Sequence, residues 1–250
     1  MIRHVKTVAS FYLRIARTYA RWAPFLLLLG MIVFIPLGLI DAITVHFEIS
    51  SLNVDTGLEV AAIVTATLAL AGTGLIGEVF YSGAVAVALT HPHGGRPPSL
   101  REIAGRLRYR RLIAVDILYT LIVSIGIVLF VAPGAIVFVW LGLSGPVVEI
   151  EGRGIRSAFA RSMRLVRGRF WLVFWVLVPI ELAGDSLANL ATSLTHHLLG
   201  NSLPAEWFSE SFSNILLTPI YAVAAVLLTI DLIAEKDPSA PLRQPQPAAA

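Results

Sequence analysis

Five carboxylates stand where an apolar chain has least use for them. Glu78, Asp116, Glu181, Asp185 and Asp231 each interrupt an apolar run, and Asp41 and Glu149 lie nearer the ends of such runs. No Lys or Arg shares any of those runs. An acid placed at mid-membrane costs about 2.5–3.5 kcal/mol on insertion scales. Each is therefore expected to be protonated, hydrogen-bonded to a neighbouring helix, or turned toward water. Glu181 and Asp185 are four residues apart and share a helix face, which suits a coupled pair on a proton or cation path. A purely structural reading stands beside it. Asp116 and Asp231 lie near predicted cytoplasmic ends and can reach arginines, while Glu181 and Asp185 can bond Ser, Thr or Asn across helices.

The second chemistry is that of the arginines. Gly152 to Trp171 carries six of them and runs straight into an apolar segment. Wound at about 100° per residue, Arg153, Arg156, Arg161, Arg164 and Arg167 share one face. Ile155, Ala158, Phe159, Met163 and Val166 share the other. Near the amino terminus Arg14 and Arg17 join Arg3, Lys6 and Arg21 in one stripe opposite Val5, Val8, Phe11, Tyr12, Ile15 and Tyr19. Both patterns predict amphipathic helices lying on a membrane surface. Arg153, Arg156, Arg161, Arg164, Arg167, Arg14 and Arg17 are the residues expected to contact anionic headgroups, at about 1 kcal/mol each. Orientation and anchoring account for such stripes, and recognition of a particular lipid is the more specific alternative.

Other chemistry finds little footing. The chain has no cysteine, which excludes disulfides, thiolate zinc sites, iron–sulfur clusters and cysteine nucleophiles. His91 and His93, and His196 and His197, are loop pairs expected on opposite sides of the membrane, without a third ligand at helical spacing. No G-x-S-x-G, H-E-x-x-H or G-x-x-x-x-G-K-[ST] occurs. No catalytic residue, metal or cofactor is assigned, and the basic balance is read as lipid-directed, with no nucleic acid.

The elements that position these residues follow from composition. A hydrophobic fraction of 56% and a charged fraction of 14%, with a mean hydropathy of +0.78, lie outside the range of soluble domains. The chain reads as all-α: one polytopic domain over residues 1–236, with six transmembrane helices in three hairpins. The spans are expected at about 23–45, 58–90, 112–131, 135–148, 170–190 and 212–234, each near the roughly 20 residues a bilayer needs or longer. Basic interfacial helices are expected at about 3–22, 99–110 and 153–168, the second opened by a Ser99/Glu102 capping box. Pro36 is a kink in the first span, which is read as uncleaved. The second span is over-long and is expected to break near Gly72-Thr73-Gly74, with Ala69, Thr73 and Gly77 giving a small-residue face. Ala132-Pro133-Gly134 reads as a tight turn, and residues 195–211 as a polar loop. The Pro/Ala-rich tail from 237 to 250 is expected to be disordered.

All 19 Lys and Arg lie in four segments: the amino terminus, residues 96–111, residues 153–169, and the tail. The loops 46–57, 132–134 and 195–211 carry none. The positive-inside rule then puts both termini in the cytoplasm, in a cell inner membrane.

The run EGRGIRSAFARSMRLVRGRFW resembles a motif of a bacterial family of six-helix integral membrane proteins. The positions carrying the likeness are Pro146, Glu149 or Glu151, Gly154, Ala158 or Phe159, Arg161, Ser162, Leu165, Gly168, Phe170 and Trp171. That family is similar to the membrane domain attached to some glycerophosphoryl diester phosphodiesterases and to uncharacterised free-standing relatives. The resemblance implies a membrane architecture and no activity, because the catalytic barrel of those enzymes is a separate domain. Three functions are open at this point. The first is a non-catalytic scaffold, accessory or lipid-associated component, partnered by the anionic inner leaflet and by a second copy or another membrane protein. The second is a small proton- or ion-coupled transporter using the intramembrane carboxylates. The third is an intramembrane enzyme acting on lipid phosphodiesters.

Overall fold

A computed structural model describes residues 2–51, 77–91, 97–200 and 202–237 of the chain. The described residues are all-helical, with no strand: α1 (Ile2–Ser51), α2 (Glu78–Thr90), α3 (Leu100–Arg106), α4 (Tyr109–Leu129), α5 (Val131–Leu141), α6 (Ser144–Glu151), α7 (Ile155–Val166), α8 (Phe170–Leu199) and α9 (Leu203–Lys236). Among them five stretches are long and apolar enough to cross a bilayer: 8–39, 109–129, 131–150, 170–195 and 203–236. The expected break at Gly72-Thr73-Gly74, the small residues Ala69 and Thr73, His93 and the tail beyond Asp237 lie outside the described residues.

The first predicted surface helix, the first span and the start of the 46–57 loop are one continuous helix, α1, with Pro24 and Pro36 inside it. Prolines are tolerated within lipid when neighbouring groups satisfy the disturbed backbone. Pro36 withholds a helical bond from the Ile32 carbonyl, and beside the proline Trp207 donates its indole N–H to the Ile35 carbonyl at 2.9 Å and Ser211 its hydroxyl to the Phe34 carbonyl at 3.4 Å. Both donors come from α9, which packs along α1 where Gly30 and Gly38 let Ile215 and Ser211 approach.

The turn expected at 132–134 falls earlier. Phe130 is the single extended residue between α4 and α5, and Pro133 sits in the first turn of α5, where its missing N–H costs nothing. Gly134 serves contact instead: a side chain there would meet Ile127 of α4 at 2.5 Å. The stretch expected to be one short helix over 135–148 is two, α5 and α6, broken at Gly142-Leu143. The polar loop expected over 195–211 is nearly absent. Helix α8 runs to Leu199, Gly200 turns the chain at φ 72°, and α9 begins at Leu203. Thr192 and Ser209 join their hydroxyls at 2.7 Å across that turn, so polar residues taken for loop satisfy one another on helices.

The core runs through α9, whose residues from Tyr221 to Ile230 are all buried, and through α2, almost wholly enclosed. At 13 residues, α2 is about 20 Å long, too short to cross a bilayer of about 30 Å.

Candidate functional site

Helix α2 begins inside the bundle. Gly77 precedes it at φ 93° and no side chain of its own segment caps it. Its first N–H groups would be orphans in an apolar core. Asp116 of α4 supplies the cap from across the interface. Its carboxylate accepts from Gly77 N–H at 2.8 Å, Val79 N–H at 3.0 Å and Phe80 N–H at 3.4 Å. Asp116 was expected to reach an arginine; its partners are backbone amides, because the start of a helix beside it offers both donors and partial positive charge.

The first residue of that helix is Glu78, which is 4% exposed. Its carboxyl and that of Glu181 on α8 lie within electrostatic reach of one another, and Asp185 lies within reach of both. One Glu78 oxygen, Oε2, has no protein partner. Glu181 is partly exposed, and Asp185 stands one turn further on at the surface. Tyr119 of α4 and Tyr221 of α9 close the cluster. Both are buried, their hydroxyls lie near each other and within electrostatic reach of Glu78 and Glu181, and neither completes a hydrogen bond of ordinary geometry.

Four elements thus bring polar groups to one level. Tyr119 is ten residues into α4 and Glu181 eleven into α8, about 15–17 Å along each helix, or half a hydrocarbon core. The backbone is interrupted at the same place. The α5–α6 break puts Gly142 where a side chain would meet the Tyr221 hydroxyl at 2.9 Å, and Gly145 against Ser82 and the Val79 carbonyl of α2. No lysine or arginine enters this cluster among the described residues.

The arginines of the basic segments are arranged differently. Arg161, placed on the polar face by the helical wheel, is 8% exposed. It pairs with Glu151 at 2.8 Å and with Asp237 beyond the end of α9, and Arg153 pairs with the same Glu151. Burial works against the Arg161 charge, but bonds to Glu151 and Asp237 outweigh it and hold its pKa above the ordinary value. Met163, assigned to the apolar face, is 37% exposed instead. Glu149 accepts from the Arg108 N–H at 2.9 Å, and Arg108 reaches the Val148 and Glu149 carbonyls at 3.1 Å. Gly152, at φ 69°, leaves room for that guanidinium. Ser162 donates to the Trp140 carbonyl at 2.6 Å. Arg14 pairs with Asp231, the contact expected of an acid near a cytoplasmic end. Arg17, Arg156, Arg164 and Arg167 are exposed. At Ser99 the hydroxyl caps α3 by accepting from Glu102 N–H at 3.3 Å. His197 is exposed, and the Asp41 side chain lies outside the described residues.

Sequence reasoning passed over Tyr119, Tyr221 and the left-handed Gly77. The available signal was the polar tip of a tyrosine near the middle of an apolar helix.

Five long apolar helical stretches among the described residues mark a multi-pass membrane protein. The chain is 32% identical over 124 residues to a UPF0259 membrane protein of Pectobacterium carotovorum, a member of an uncharacterised bacterial family; the match covers 46% of this chain. It spans about half, 50%, of that curated relative's length. No family model matches the chain, and no solved structure matches it.

Proposed function

We propose that the protein is a small proton-coupled membrane carrier whose ion site is the Glu78–Glu181 carboxyl pair. The observation that carries this reading is their meeting at mid-depth without a cation, beside a helix that starts inside the bundle. Carriers commonly form such sites from interrupted helices at the bilayer midplane. In this reading the second, partly described span completes six. The spans make three hairpins, the basic helices lie at the cytoplasmic face, and both termini are cytoplasmic in an inner membrane. Asp185 at the surface and Glu181 behind it are the first two stations of a path from water to Glu78, with the Tyr119 and Tyr221 hydroxyls as donors at its inner end.

A scaffold or lipid-associated role is the second reading, alone or with a second copy or membrane partner. The exposed arginines of α7 favour it. An enzyme acting on lipid phosphodiesters has less support. The motif that resembles the phosphodiesterase membrane domain places Glu149, Glu151, Arg161 and Ser162 in contacts that tie helices together, leaving no acid–base set at headgroup level.

The test is proton flux in proteoliposomes under an imposed potential, read by a trapped pH dye. Wild-type protein is expected to move protons, and Glu78→Gln and Glu181→Gln, folded by size-exclusion profile, to abolish the flux. Flux absent from the wild type, or unchanged in both variants, overturns the reading.

A further inference from the structure

A cavity lies between the early turns of α1 and the start of α8. It has a volume of about 930 Å³, with Val8, Ala9, Tyr12, Trp171, Trp175 and Pro179 among its walls. That size is at the upper end of ordinary ligand pockets, roughly 300–1,000 Å³. The two helices are held at a fixed spacing by Tyr12, whose hydroxyl donates to the Trp175 carbonyl at 2.7 Å. Trp171 and Trp175 remain 67% and 55% exposed. Indoles in the first turns of an entering helix mark the boundary between headgroups and acyl chains.

The mouth has the opposite character. Gly168, at φ 88°, turns the chain between α7 and α8, and a side chain there would meet nothing within 4 Å. Arg169 at the rim is paired with Glu235. Arg167, which precedes Gly168 in the chain, and Arg164, one turn earlier on α7, are exposed and face no carboxylate within pairing distance among the described residues. Lys236 donates to the Arg167 carbonyl at 2.7 Å and also to the Arg164 carbonyl, so cationic charge covers the carboxyl end of α7 as well. An apolar body capped by uncompensated cations is complementary to one kind of molecule.

We infer that this groove is a selective site for one anionic phospholipid, an acyl chain lying against Trp171 and Trp175 and the phosphate beside Arg164 and Arg167. This goes beyond general contact between arginine stripes and a charged leaflet, because it fixes a chain as well as a headgroup, and it does not depend on the carboxyl pair.

The experiment uses the full chain with Trp22, Trp140 and Trp207 changed to Phe, so that emission comes from Trp171 and Trp175. It is reconstituted in phosphatidylcholine vesicles containing increasing fractions of chain-brominated phosphatidylglycerol or chain-brominated phosphatidylcholine. The anionic lipid is expected to quench at a mole fraction about tenfold lower than the zwitterionic one. Arg164→Gln with Arg167→Gln should bring the two curves together, and Ala9→Phe, filling the groove, should remove the high-affinity phase. Equal quenching by both lipids before these changes would show ordinary boundary lipid and overturn the inference. So would selectivity that survives both the arginine and the Ala9 changes. Native mass spectrometry of the unmodified protein keeps the question open to refutation if the tryptophan variants fail to fold. One retained anionic phospholipid after delipidation is expected, and none retained overturns the site.

Discussion

Replacing Asp116 by alanine removes the acceptor for the first N–H groups of α2. Two bonds at 2.8 and 3.0 Å and a longer one at 3.4 Å disappear, with Asp116 only 6% exposed and Gly77 and Val79 buried beside it. Each buried donor left without a partner costs about 1–3 kcal/mol. Taking the two shorter bonds at mid-range gives a loss of about 3–5 kcal/mol. At about 2–4 °C per kcal/mol for a chain of this size, the midpoint of thermal unfolding in detergent should fall by about 10 °C. Asp116→Asn keeps one oxygen and turns an N–H₂ toward a donor, so about half that loss is expected. Amide exchange supplies the local readout. Gly77, Val79 and Phe80 should exchange faster in Asp116→Ala by a larger factor than amides in the middle of α9. An unchanged midpoint, or unchanged protection at those three amides, would refute the cap and return Asp116 to the unexplained acids.

Two further outcomes follow from the same contacts. Gly77→Ala forces a side chain into the left-handed region, at about 1–2 kcal/mol, with a methyl 2.7 Å from Leu37; a lower unfolding midpoint is expected, without loss of the Asp116 bonds. Arg161→Gln breaks a buried pair with Glu151 and Asp237 and should cost about 2 kcal/mol, whereas Arg156→Gln, exposed on the same helix, should stay within about 0.5 kcal/mol; equal effects on the denaturation midpoint would contradict the assignment.

Hydropathy carried most of the architecture, because long apolar runs are a local property of the chain. Tyr109–Leu129 and the apolar stretches within α8 and α9 could be read from it directly. What escaped depends on partners distant in sequence. Glu78 reads as an acid within a second span expected to break near Gly72-Thr73-Gly74, since an apolar run does not reveal that a helix begins at Glu78 itself. Asp116 was matched with arginines because its real acceptors' role, toward amides 36–39 residues away, exists only once α2 and α4 are side by side. The wheel put Arg161 with the solvated arginines. It is buried because Glu151 and Asp237 reach it from 10 and 76 residues away, and no periodicity within α7 reports that. Glu181 and Asp185 were paired by spacing; the structure brings Glu181 to Glu78 and leaves Asp185 outside.

The disposition of acids bears on function more than any single contact. In and around the basic segments, Glu102, Glu149, Glu151, Asp231, Glu235 and Asp237 each meet a guanidinium. Asp116, deeper, meets backbone amides instead. A chain that satisfies these acids so consistently has the means to satisfy Glu78 and Glu181 too, or to replace them with leucine at a gain in insertion energy. It does neither. One Glu78 oxygen and the Tyr119 and Tyr221 hydroxyls are left without an ordinary hydrogen bond, as are the hydroxyls of Thr120, Ser124, Ser144 and Ser213. Local rules are often broken at functional sites, and under the proton-carrier proposal the group that fills this one is a proton.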